Sequence, residues 1–522
     1  MSGEAQKNAI GRDVPKRFFD GRDVIPYGGP WARVTAGDSP ERCAPPLGGI
    51  ARGTNKVTWD VKEAITRSGL ENGMTISFHH HLRNGDETVG LILTACEEMG
   101  LRDLVLAPSS LSEVHDPVAG FVRRGVIGRI HTSGVRGEVG KLISRGEMEI
   151  PVMIHSHGGR ARAIEDGTIR IDVAFLAAPT CDEAGNFTGA IGKSACGSVG
   201  YAMQDARYAR HVVAITDNLL PHRLSRVSVP QHLVNQVLVV DSLGDPRKIA
   251  SGAVRLTRNP VERRIAQDAF DLLLASGSIK PGFSIQMGSG GASLGVAACM
   301  RDHMRAKRIK GDFACGGMTG HMVEMLEEGL FDVLYDVQSF DSAVTASVAD
   351  NPGHVEIDQS CYANPLNRGC VAHGLDVVIL AALDVDVDFN VNVLTGHDGV
   401  LRGASGGHCD TAAGAKLSVV VLPSFRGGVC SIKDSVLTVV TPGETVDAIV
   451  TERGMAINPL RPELAEAARG AGLDVMDLRE LKENIERLTG KAEPITPDRS
   501  RTVALVEYRD GTILDSVCRV GC

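Results

Sequence analysis

Apolar positions change their spacing along the chain in a way that predicts alternating strands and helices. Residues 73–78 read G-M-T-I-S-F, a short apolar run that is typical of a buried strand. Residues 87–99 instead carry apolar side chains at helical spacing, and residues 104–107 form the next short apolar run. The order strand, helix, strand predicts a βαβ unit and therefore a parallel sheet.

The same order returns in the second half of the chain. The pattern S-G-x-x-x-G-x-x-I that begins at Ser68 recurs, with one inserted residue, about 208 residues later at Ser276. The elements expected there are a helix at 261–275, a strand at 283–287, a helix at 294–304 and a strand from 312. The repetition predicts two domains of one fold, at residues 56–250 and 251–522, with the boundary near residues 241–260.

Shorter patterns complete the prediction for each half and for the N-terminus. Further strands are expected at 152–155, 172–177, 211–216, 376–383, 417–422, 436–440, 447–450 and from 502. Further helices are expected at 60–68, 462–471 and 476–488. Residues 1–55 are rich in glycine, proline and arginine and lack periodicity, so we expect an extended arm. Such an arm either wraps a partner subunit or caps its own chain.

Composition narrows the functional class. A hydrophobic content of 43% and a charged content of 23% are typical of a soluble globular protein. The net charge of -9 and the aromatic content of 4% argue against a nucleic-acid binder. The 12 cysteines form no C-x-x-C pair, which favours free thiols in a reducing compartment. We find neither a signal-peptide pattern nor a run of 18 apolar residues, so a cytoplasmic protein without membrane association is expected.

Residues 403–410 read G-A-S-G-G-H-C-D and precede the predicted strand at 417–422. Glycines beside a buried strand let backbone N–H groups approach an anionic or carbonyl oxygen closely. An ordinary tight turn explains the same residues equally well. His408 either donates a hydrogen bond to a bound carbonyl oxygen or caps the turn. Asp410 is expected to order the loop by accepting backbone N–H bonds rather than to act as a base.

Polar residues also follow two predicted strands of the first half. In open α/β sheets ligands bind at such strand ends. The candidate ligand contacts are His79, His80, His81 and Arg83 in the first loop, and His155, His157 and Arg160 in the second. The first loop is alternatively a solvated, metal-scavenging segment, and the second alternatively orders itself by hydrogen bonds. Spacing does not favour a zinc site, because no cysteine or carboxylate completes a tetrahedral set. Asn218 and Asn364 are further candidate polar liners.

Four segments, in order along the chain, resemble the acyl-CoA transferases and acetyl-CoA hydrolases. They are D-V-A-F-L-A-A-P-T-C-D-E-A-G-N-F-T-G at 172–189, H-V-V-A-I-T-D-N-L-L-P at 211–221, G-A-S-G-G-H-C-D-T-A-A-G-A at 403–415 and A-I-V-T-E-R-G-M-A at 448–456. Within that group the whole chain, including its arm, looks most like the family of citrate lyase α subunits.

This resemblance implies two tandem CoA-transferase-like α/β domains. It implies the exchange of the acetyl group on an acyl carrier protein, or on acetyl-CoA, for citrate, giving citryl thioester and acetate. The implied partners are a β subunit and a γ subunit, in an oligomer. The γ subunit is an acyl carrier protein with a phosphoribosyl-dephospho-CoA arm, and this chain itself holds no tightly bound cofactor and no metal.

The chain departs from related covalent CoA-transferases at one position. Those enzymes carry a catalytic glutamate where this sequence reads A-C-G-G-M-T-G-H-M, so that Gly317 stands in its place. The nearby Glu324 and Glu327 are better interpreted as surface positions of a helix. We therefore expect direct exchange without a glutamyl thioester.

Direct exchange assigns roles to the glycine loops. The expected oxyanion donors are Gly406 and Gly407, faced by Gly316 and Gly317, together with His408. The residues expected to hold the thioester or its CoA-like arm are Gly288, Ser289, Gly290, Gly291, Gly403, Ser405 and Asp410.

Two questions stay open at the level of sequence. A basic segment is either a docking patch for the anionic arm or scattered solvated charge; it contains Arg123, Arg124, Arg129, Arg136, Lys141 and Arg145. The fold also serves CoA-transferases or hydrolases for other carboxylates, as well as sugar-phosphate-sensing domains. No helix-turn-helix pattern supports the last of these.

Overall fold

Two large, mainly parallel sheets form the framework of the molecule. The structure is a computed structural model that describes residues 4–37, 39–46, 48–249, 257–288, 290–493 and 495–521. Within these residues the first sheet has ten strands and the second has eight. Each sheet has its own buried apolar core. The predicted fold class, two open and mainly parallel α/β sheets, is confirmed.

Seven strands in each sheet repeat the same topology. In the first sheet they are Thr75–Ser77, Leu104–Leu106, Ile127–Thr132, Val152–Ile154, Val173–Ala177, His211–Thr216 and Gln236–Val239. In the second they are Ile285–Met287, Gly311–Met318, Phe331–Ser339, His354–Glu356, Val377–Ala381, Leu417–Val421 and Ala448–Thr451. Numbered along the chain, both sets lie in the order 4-3-2-1-5-6-7. The strand order therefore reverses between the first and fifth strands of each half, which is where such sheets bind ligands.

Smaller sheets repeat as well. Thr180–Asp182, Phe187–Thr188 and Leu219–Leu220 form one three-stranded sheet. Asp384–Asp386, Val391–Asn392 and Ile432–Lys433 form the other. Two short hairpins, Ala5–Lys7 with Asp13–Pro15 and Phe425–Arg426 with Val429–Cys430, lie outside the repeat. The internal repetition predicted from the Ser68 and Ser276 patterns thus extends through the whole of each half.

The termini extend the first sheet. Val57–Thr58 adds one edge strand, and the C-terminal hairpin Asp498–Glu507 with Ile513–Arg519 adds two at the other edge. Ala504 pairs in parallel with Val152. The sequence-based division placed residues 251–522 together, whereas this hairpin completes the sheet of the first half. In the second sheet, Gly454–Ile457 is the antiparallel edge strand.

The N-terminal arm packs against its own chain. Asn8 Nδ2 donates to the backbone oxygen of Leu514 at 2.7 Å, and the Tyr27 N–H donates to that of Ile513 at 3.0 Å. The phenolic oxygen of Tyr27 lies 2.7 Å from the Glu444 carboxylate. The structure therefore shows the arm as a cap on its own C-terminal hairpin, and a contact with a partner subunit stays a prediction.

The helices cover both faces of the sheets. They are Ala32–Thr35, Val61–Ser68, Thr88–Glu98, Val118–Arg123, Gly137–Ser144, His157–Glu165, Gly200–Tyr208, Pro246–Ile249, Pro260–Ala275, Gly291–Lys307, Gly320–Glu327, Ser342–Asp350, Gln359–Ala363, His408–Gly414, Pro462–Gly470 and Leu478–Thr489. The boundary predicted near 241–260 lies partly outside the described residues.

One predicted strand is wrong. Residues 436–440 are mostly buried but irregular, and two of their backbone N–H groups donate to carboxylates, while that of Val440 donates to the Val391 oxygen at 2.9 Å. Val439 donates to Asp515 at 2.7 Å, and Val436 donates to Asp386 at 3.2 Å. A buried apolar run satisfied in this way needs no neighbouring strand.

Candidate active site

The first strand of the first half ends in three histidines that reach the second half. His79 and His81 are buried, and their Nδ1 atoms are 2.8 Å apart. His80 Nε2 lies 3.1 Å from Gln338 Oε1, at the end of strand Phe331–Ser339. His81 Nε2 lies 3.2 Å from the backbone oxygen of Val337. These contacts put the strand end on the boundary between the halves. Burial lowers the pKa of all three imidazoles, which favours their neutral form.

Tyr201 joins the histidines from a different element. Its ring centroid is 4.8 Å from those of His80 and His157, and 5.1 Å from that of His81. Tyr201 begins the buried face of helix Gly200–Tyr208. Sequence reasoning missed this residue, because a single tyrosine in a helix carries no spacing signal.

The glycine loop at 403–407 comes from the second half but lies against the first. The Val135 N–H donates to the Gly403 oxygen at 3.0 Å, and the Ser405 N–H donates to the Ser133 oxygen at 2.8 Å. The His157 N–H donates to the Gly406 oxygen at 2.7 Å. Gly406 has φ +55°, a left-handed conformation that favours glycine. The loop is therefore fixed by backbone contacts across the boundary.

The contact between Tyr362 and Gln286 links two glycine pairs of the second half. The pair Gly406 and Gly407 lies beside Tyr362, and the pair Gly316 and Gly317 lies beside Gln286. Tyr362 Oη lies 3.1 Å from Gln286 Oε1. A Cβ at Gly407 would overlap the Tyr362 hydroxyl, and one at Gly316 would lie 2.9 Å from Gln286 Cδ. Gly316 and Gly317 thus belong to the same region as Gly406 and Gly407, as the direct-exchange hypothesis requires. Their catalytic roles stay a prediction.

Asp410 holds the glycine loop on the helix that contains His157. Its carboxylate accepts hydrogen bonds from Ser156 Oγ at 2.8 Å and from the Gly158 N–H at 2.9 Å. Burial raises the pKa of Asp410 to about 6, opposed by the nearby Arg509 guanidinium. The carboxylate has the loop-ordering geometry that the sequence suggested.

His408 differs from its expected role as a donor. Its Nδ1 lies 2.6 Å from Thr441 Oγ1, and its Nε2 lies 3.2 Å from the Ala381 oxygen. Burial lowers its pKa to about 4, so the neutral ring uses its single N–H on Ala381. Neither partner belongs to the turn at residues 403–410, so the ring does not make the predicted cap either.

Arg83 presents a cation that forms no ion pair with any carboxylate in the described part of the chain. Its guanidinium carbon lies 4.8 Å from the centroid of Phe340, and its buried Nη1 atom has no hydrogen-bond partner among the described residues. The backbone at Arg83 has φ 53° and ψ -131°, a conformation that costs about 1–3 kcal/mol for a non-glycine residue. A Cβ at Gly317 would overlap the Phe340 ring. Phe340 and Arg83 therefore occupy the space beside Gly317.

The second polar loop of the first half is mostly committed to structural contacts. His155 Nδ1 lies 2.9 Å from Glu507 Oε1, and its Nε2 lies 3.2 Å from His131. Arg160 makes a two-bond ion pair with Asp205 at 2.8 and 2.9 Å. These partners argue against the predicted ligand contacts for His155 and Arg160. His157 differs, because its buried Nδ1 has no partner among the described residues.

The remaining polar predictions have local partners too. Asn218 Nδ2 donates to Thr180 Oγ1 at 2.8 Å, and Asn364 Nδ2 donates to Ser360 Oγ at 3.2 Å. Four cations of the basic segment form ion pairs with Glu97, Glu138 and Glu147: Arg123, Arg124, Lys141 and Arg145. Arg129 lies over the Phe19 ring. Three carboxylates thus offset about half of the charge of the six cations, and the segment stays moderately basic.

Two buried hydroxyls lie beside the Gly288 loop. A small cavity there is lined by residues that include Gly288, Gly317 and Thr319. Thr319 Oγ1 and Ser293 Oγ are buried without hydrogen-bond partners in the described part of the chain. Gly290 and Gly291 begin helix Gly291–Lys307, whose N-terminus favours an anion. Ser289 lies outside the described residues.

Neither a metal-binding cluster nor a membrane-spanning helix occurs among the described residues. Within the described ranges, no group of three or more histidine, cysteine, aspartate or glutamate side chains is arranged to hold a metal ion. Over the same residues, no helix has the length and apolar character needed to cross a membrane.

Comparisons with known proteins agree on one family. The family model described as "Citrate lyase, alpha subunit (CitF)" matches residues 54–520. The citrate lyase alpha chain of Escherichia coli strain K12 is 50% identical over 465 residues, covering 89% of this chain and 91% of the relative. That of Klebsiella pneumoniae is 49% identical over the same length, with the same coverage.

Solved structures extend the comparison to the fold. The citrate lyase alpha subunit from Streptococcus mutans, solved in complex with citrate, has a TM-score of 0.95 at 46% identity and covers 99% of this chain and 100% of its own. The malonate decarboxylase alpha subunit from Acinetobacter baumannii has a TM-score of 0.62 at 15% identity, covers 84% of this chain and 94% of its own, and shows the fold alone. The chain belongs to the family of citrate lyase α subunits, the transferase components of that enzyme.

Proposed function

We propose that this chain exchanges the acetyl group of an acetyl thioester for citrate, without a covalent enzyme intermediate. The observation that carries the proposal is the contact of Arg83, Phe340 and Gly317. Where covalent relatives need a carboxylate nucleophile, this chain has a glycine with no room for a side chain. Beside it lies a buried guanidinium with an unsatisfied Nη1. A cation at this position is better suited to binding the carboxylate of a substrate than to assisting a protein carboxylate that acts as nucleophile.

The exchange has two balanced steps. A citrate carboxylate oxygen attacks the acetyl thioester carbon; the C–S bond breaks, giving a mixed anhydride and a thiolate. The thiolate then attacks the citryl carbon of the anhydride; a C–S bond forms, and acetate leaves with the bridging oxygen. Each step places charge on a carbonyl oxygen, which backbone donors at Gly406, Gly407, Gly316 and Gly317 would stabilise. A donor of this kind is worth about 3–4 kcal/mol. Binding both substrates side by side lowers the activation free energy further, because the reaction becomes effectively unimolecular.

Citrate would bind at the histidine side of the boundary. Arg83 supplies the charge, while the unpartnered Nδ1 of His157 supplies a ring nitrogen for a further carboxylate or hydroxyl oxygen. Both ring nitrogens of His80 are held by Ser109 and Gln338, so His80 shapes the site rather than contacting citrate. Burial lowers the pKa of His157 to about 3, so it stays neutral and acts through hydrogen bonding rather than charge. The Streptococcus mutans relative was solved with citrate, which supports this choice of substrate.

The thiol arm would approach from the Gly288 side. Ser293 Oγ, Thr319 Oγ1 and the N-termini of helices Gly291–Lys307 and Gly320–Glu327 are suited to the phosphates of a CoA-like arm. Such an arm, carried by the γ subunit or supplied by acetyl-CoA, provides the thioester, and this chain binds and orients it. In the cell the chain would act in the cytoplasm, within a complex containing β and γ subunits.

A single-turnover experiment with 18O-labelled citrate tests the mechanism. Full-length protein in excess is mixed with acetyl-CoA and citrate labelled in all carboxylates, and the products are analysed by mass. Direct exchange gives citryl-CoA and acetate carrying one 18O atom, because the bridging oxygen comes from citrate. No label enters the protein.

Other outcomes identify other mechanisms. Unlabelled acetate with one 18O atom on a protein carboxylate would show a covalent intermediate and overturn the proposal. Acetate and free CoA without citryl-CoA would show a hydrolase. Transfer to another carboxylic acid but not to citrate would show a CoA-transferase of different specificity.

A further inference from the structure

Arg509 is a fully buried arginine in the turn of the C-terminal hairpin, and it reaches the helix that follows the glycine loop. Its Nη1 donates to the Asp410 backbone oxygen at 3.0 Å, and its Nη2 donates to His373 Nε2. Its Nε has no hydrogen-bond partner among the described residues and lies 4.0 Å from Asp410 Oδ1. The hairpin thus contacts the second half at a residue that already orders the site.

The N-terminal arm covers this arginine. The guanidinium carbon of Arg509 lies 5.1 Å from the Trp31 ring centroid. The same ring makes an edge contact with His373, at 4.8 Å between centroids. The family model begins at residue 54, so Trp31 lies outside the matched region. Trp31 of the arm therefore covers the contact between Arg509 and His373.

A continuous series of hydrogen bonds connects Arg509 to the glycine loop through Asp410 and the start of helix His157–Glu165. Asp410, which Arg509 contacts, accepts from Ser156 and Gly158 on either side of His157. The His157 N–H in turn holds the Gly406 oxygen. We propose that Arg509, braced by Trp31, is a positioning residue for the glycine loop at 403–407. The catalytic consequence rests on the proposed function, whereas the brace itself rests only on these contacts.

Charge supports the same role. The titratable groups that face Asp410 are Arg509, Tyr201, Tyr362, Tyr508, Cys370 and Cys409. Burial raises the pKa of each phenol and thiol, so these groups are neutral at pH 7. Burial also raises the pKa of Asp410 to about 6, and Arg509 limits that rise. Without Arg509 the pKa moves higher, and Asp410 carries a proton near neutral pH. A protonated carboxyl accepts fewer hydrogen bonds from Ser156 and Gly158.

The test compares Arg509→Gln, Arg509→Lys and Trp31→Ala in the full chain. Arg519→Gln changes an exposed arginine of the same hairpin, and Trp59→Ala removes the other tryptophan, which is 71% exposed. We expect Arg509→Gln to lower kcat about 100-fold, since small misplacements of catalytic groups cost this much, with KM changed less than threefold. The acid limb of its pH profile moves upward from about pH 6, and Arg509→Lys restores much of both. Trp31→Ala lowers kcat about 2- to 30-fold.

Hydrogen exchange of the loop provides a readout independent of activity. Amides of residues 403–410 should exchange faster in Arg509→Gln and Trp31→Ala, while those of strand Leu417–Val421 stay protected. Equal kcat losses in Arg509→Gln and Arg519→Gln, or unchanged exchange and an unchanged acid limb, would overturn the proposal. A different result is also informative: if the wild-type protein transfers no acyl group but the variants still show faster hydrogen exchange, the proposed function is overturned. The structural role of Arg509 and Trp31 is then still supported.

Discussion

The two halves of the chain share one strand order, yet the loops after their first strands have opposite chemistry. After Thr75–Ser77 come His79, His80, His81 and Arg83, a segment of ring nitrogens and a cation. After Ile285–Met287 comes a glycine-rich segment that offers mainly backbone N–H groups. Both loops lie at the point where the strand order of their sheet reverses.

This difference indicates that the two halves of the repeated fold bind different chemical groups. Side-chain charge and ring nitrogens suit several carboxylates at variable positions, as citrate requires. Backbone N–H groups suit one carbonyl oxygen or a phosphate at a fixed position. The boundary between the halves brings the two kinds of donor together. Changes in the glycine loops of the second half should therefore mainly lower kcat, and changes in the loop after Thr75–Ser77 should mainly raise the KM for citrate.

The largest effect is expected from Gly407→Ala. The added Cβ overlaps the Tyr362 hydroxyl and lies 3.2 Å from its ring, so the backbone donors of the loop must move. Loss of one such donor lowers kcat about 10²- to 10³-fold. Steady-state kinetics with citrate and acetyl-CoA measure this, and the citrate KM should change little.

Two further variants make that prediction specific. Gly470→Ala, at an exposed helix end with no atom within 4 Å of the new Cβ, should keep kcat within twofold. Adding Tyr362→Phe to Gly407→Ala removes the overlapping hydroxyl and should recover part of the activity. A Gly407→Ala protein with more than a fifth of wild-type kcat would argue against a role for this backbone.

Arg83→Gln should have the next largest effect and act on binding. A hydrogen bond to a charged group contributes about 1.5–3 kcal/mol, which corresponds to about 10- to 150-fold in the citrate KM. The KM for acetyl-CoA should stay within threefold, and Arg83→Lys should recover part of the loss. Arg102→Gln changes an exposed arginine of the same half and is the control. Equal rises in both KM values would show that Arg83 does not distinguish the two substrates.

Sequence patterns predicted the framework of the site better than its side-chain roles. The loop that contains Gly406 and Gly407 was read from local sequence, because glycine clusters beside a predicted strand are visible there. Gly316 and Gly317 were found through the resemblance to covalent CoA-transferases, and they lie within strand Gly311–Met318. Tyr201 and Phe340 have no such signal, since only the packing of the two halves brings them to the site. His408 and Arg160 were expected at a ligand but have protein partners, and spacing cannot show which way a side chain points. The C-terminal hairpin was assigned to the wrong half because its pairing with Val152–Ile154 is a long-range contact, which local sequence patterns do not show.

The smallest predicted effect compares two equivalent aspartates of the repeat. Asp182 accepts from the N–H groups of Ala184 and Asn186, at 2.9 and 3.0 Å. Asp386 accepts from those of Asp388 and Asn390, at 3.1 and 3.0 Å. Despite the shared geometry, their pKa values shift in opposite directions. Burial raises both, but hydrogen bonds prevail at Asp182 and lower its pKa, whereas burial prevails at Asp386.

The opposite shifts predict opposite effects on stability at neutral pH. The ionised Asp182 stabilises the fold at every pH above its unfolded pKa of about 3.8, so Asp182→Asn should cost the same at pH 7 and pH 4.5. Ionisation of Asp386 instead opposes folding as the pH rises through its higher folded pKa. Asp386→Asn should therefore cost less at pH 7 than at pH 4.5, because the wild-type protein loses stability as Asp386 ionises between these pH values. Urea-unfolding midpoints at the two pH values measure both variants. Parallel behaviour would show that the equivalent positions are also electrostatically equivalent, and the contrast between the halves would then be confined to the loops at the site.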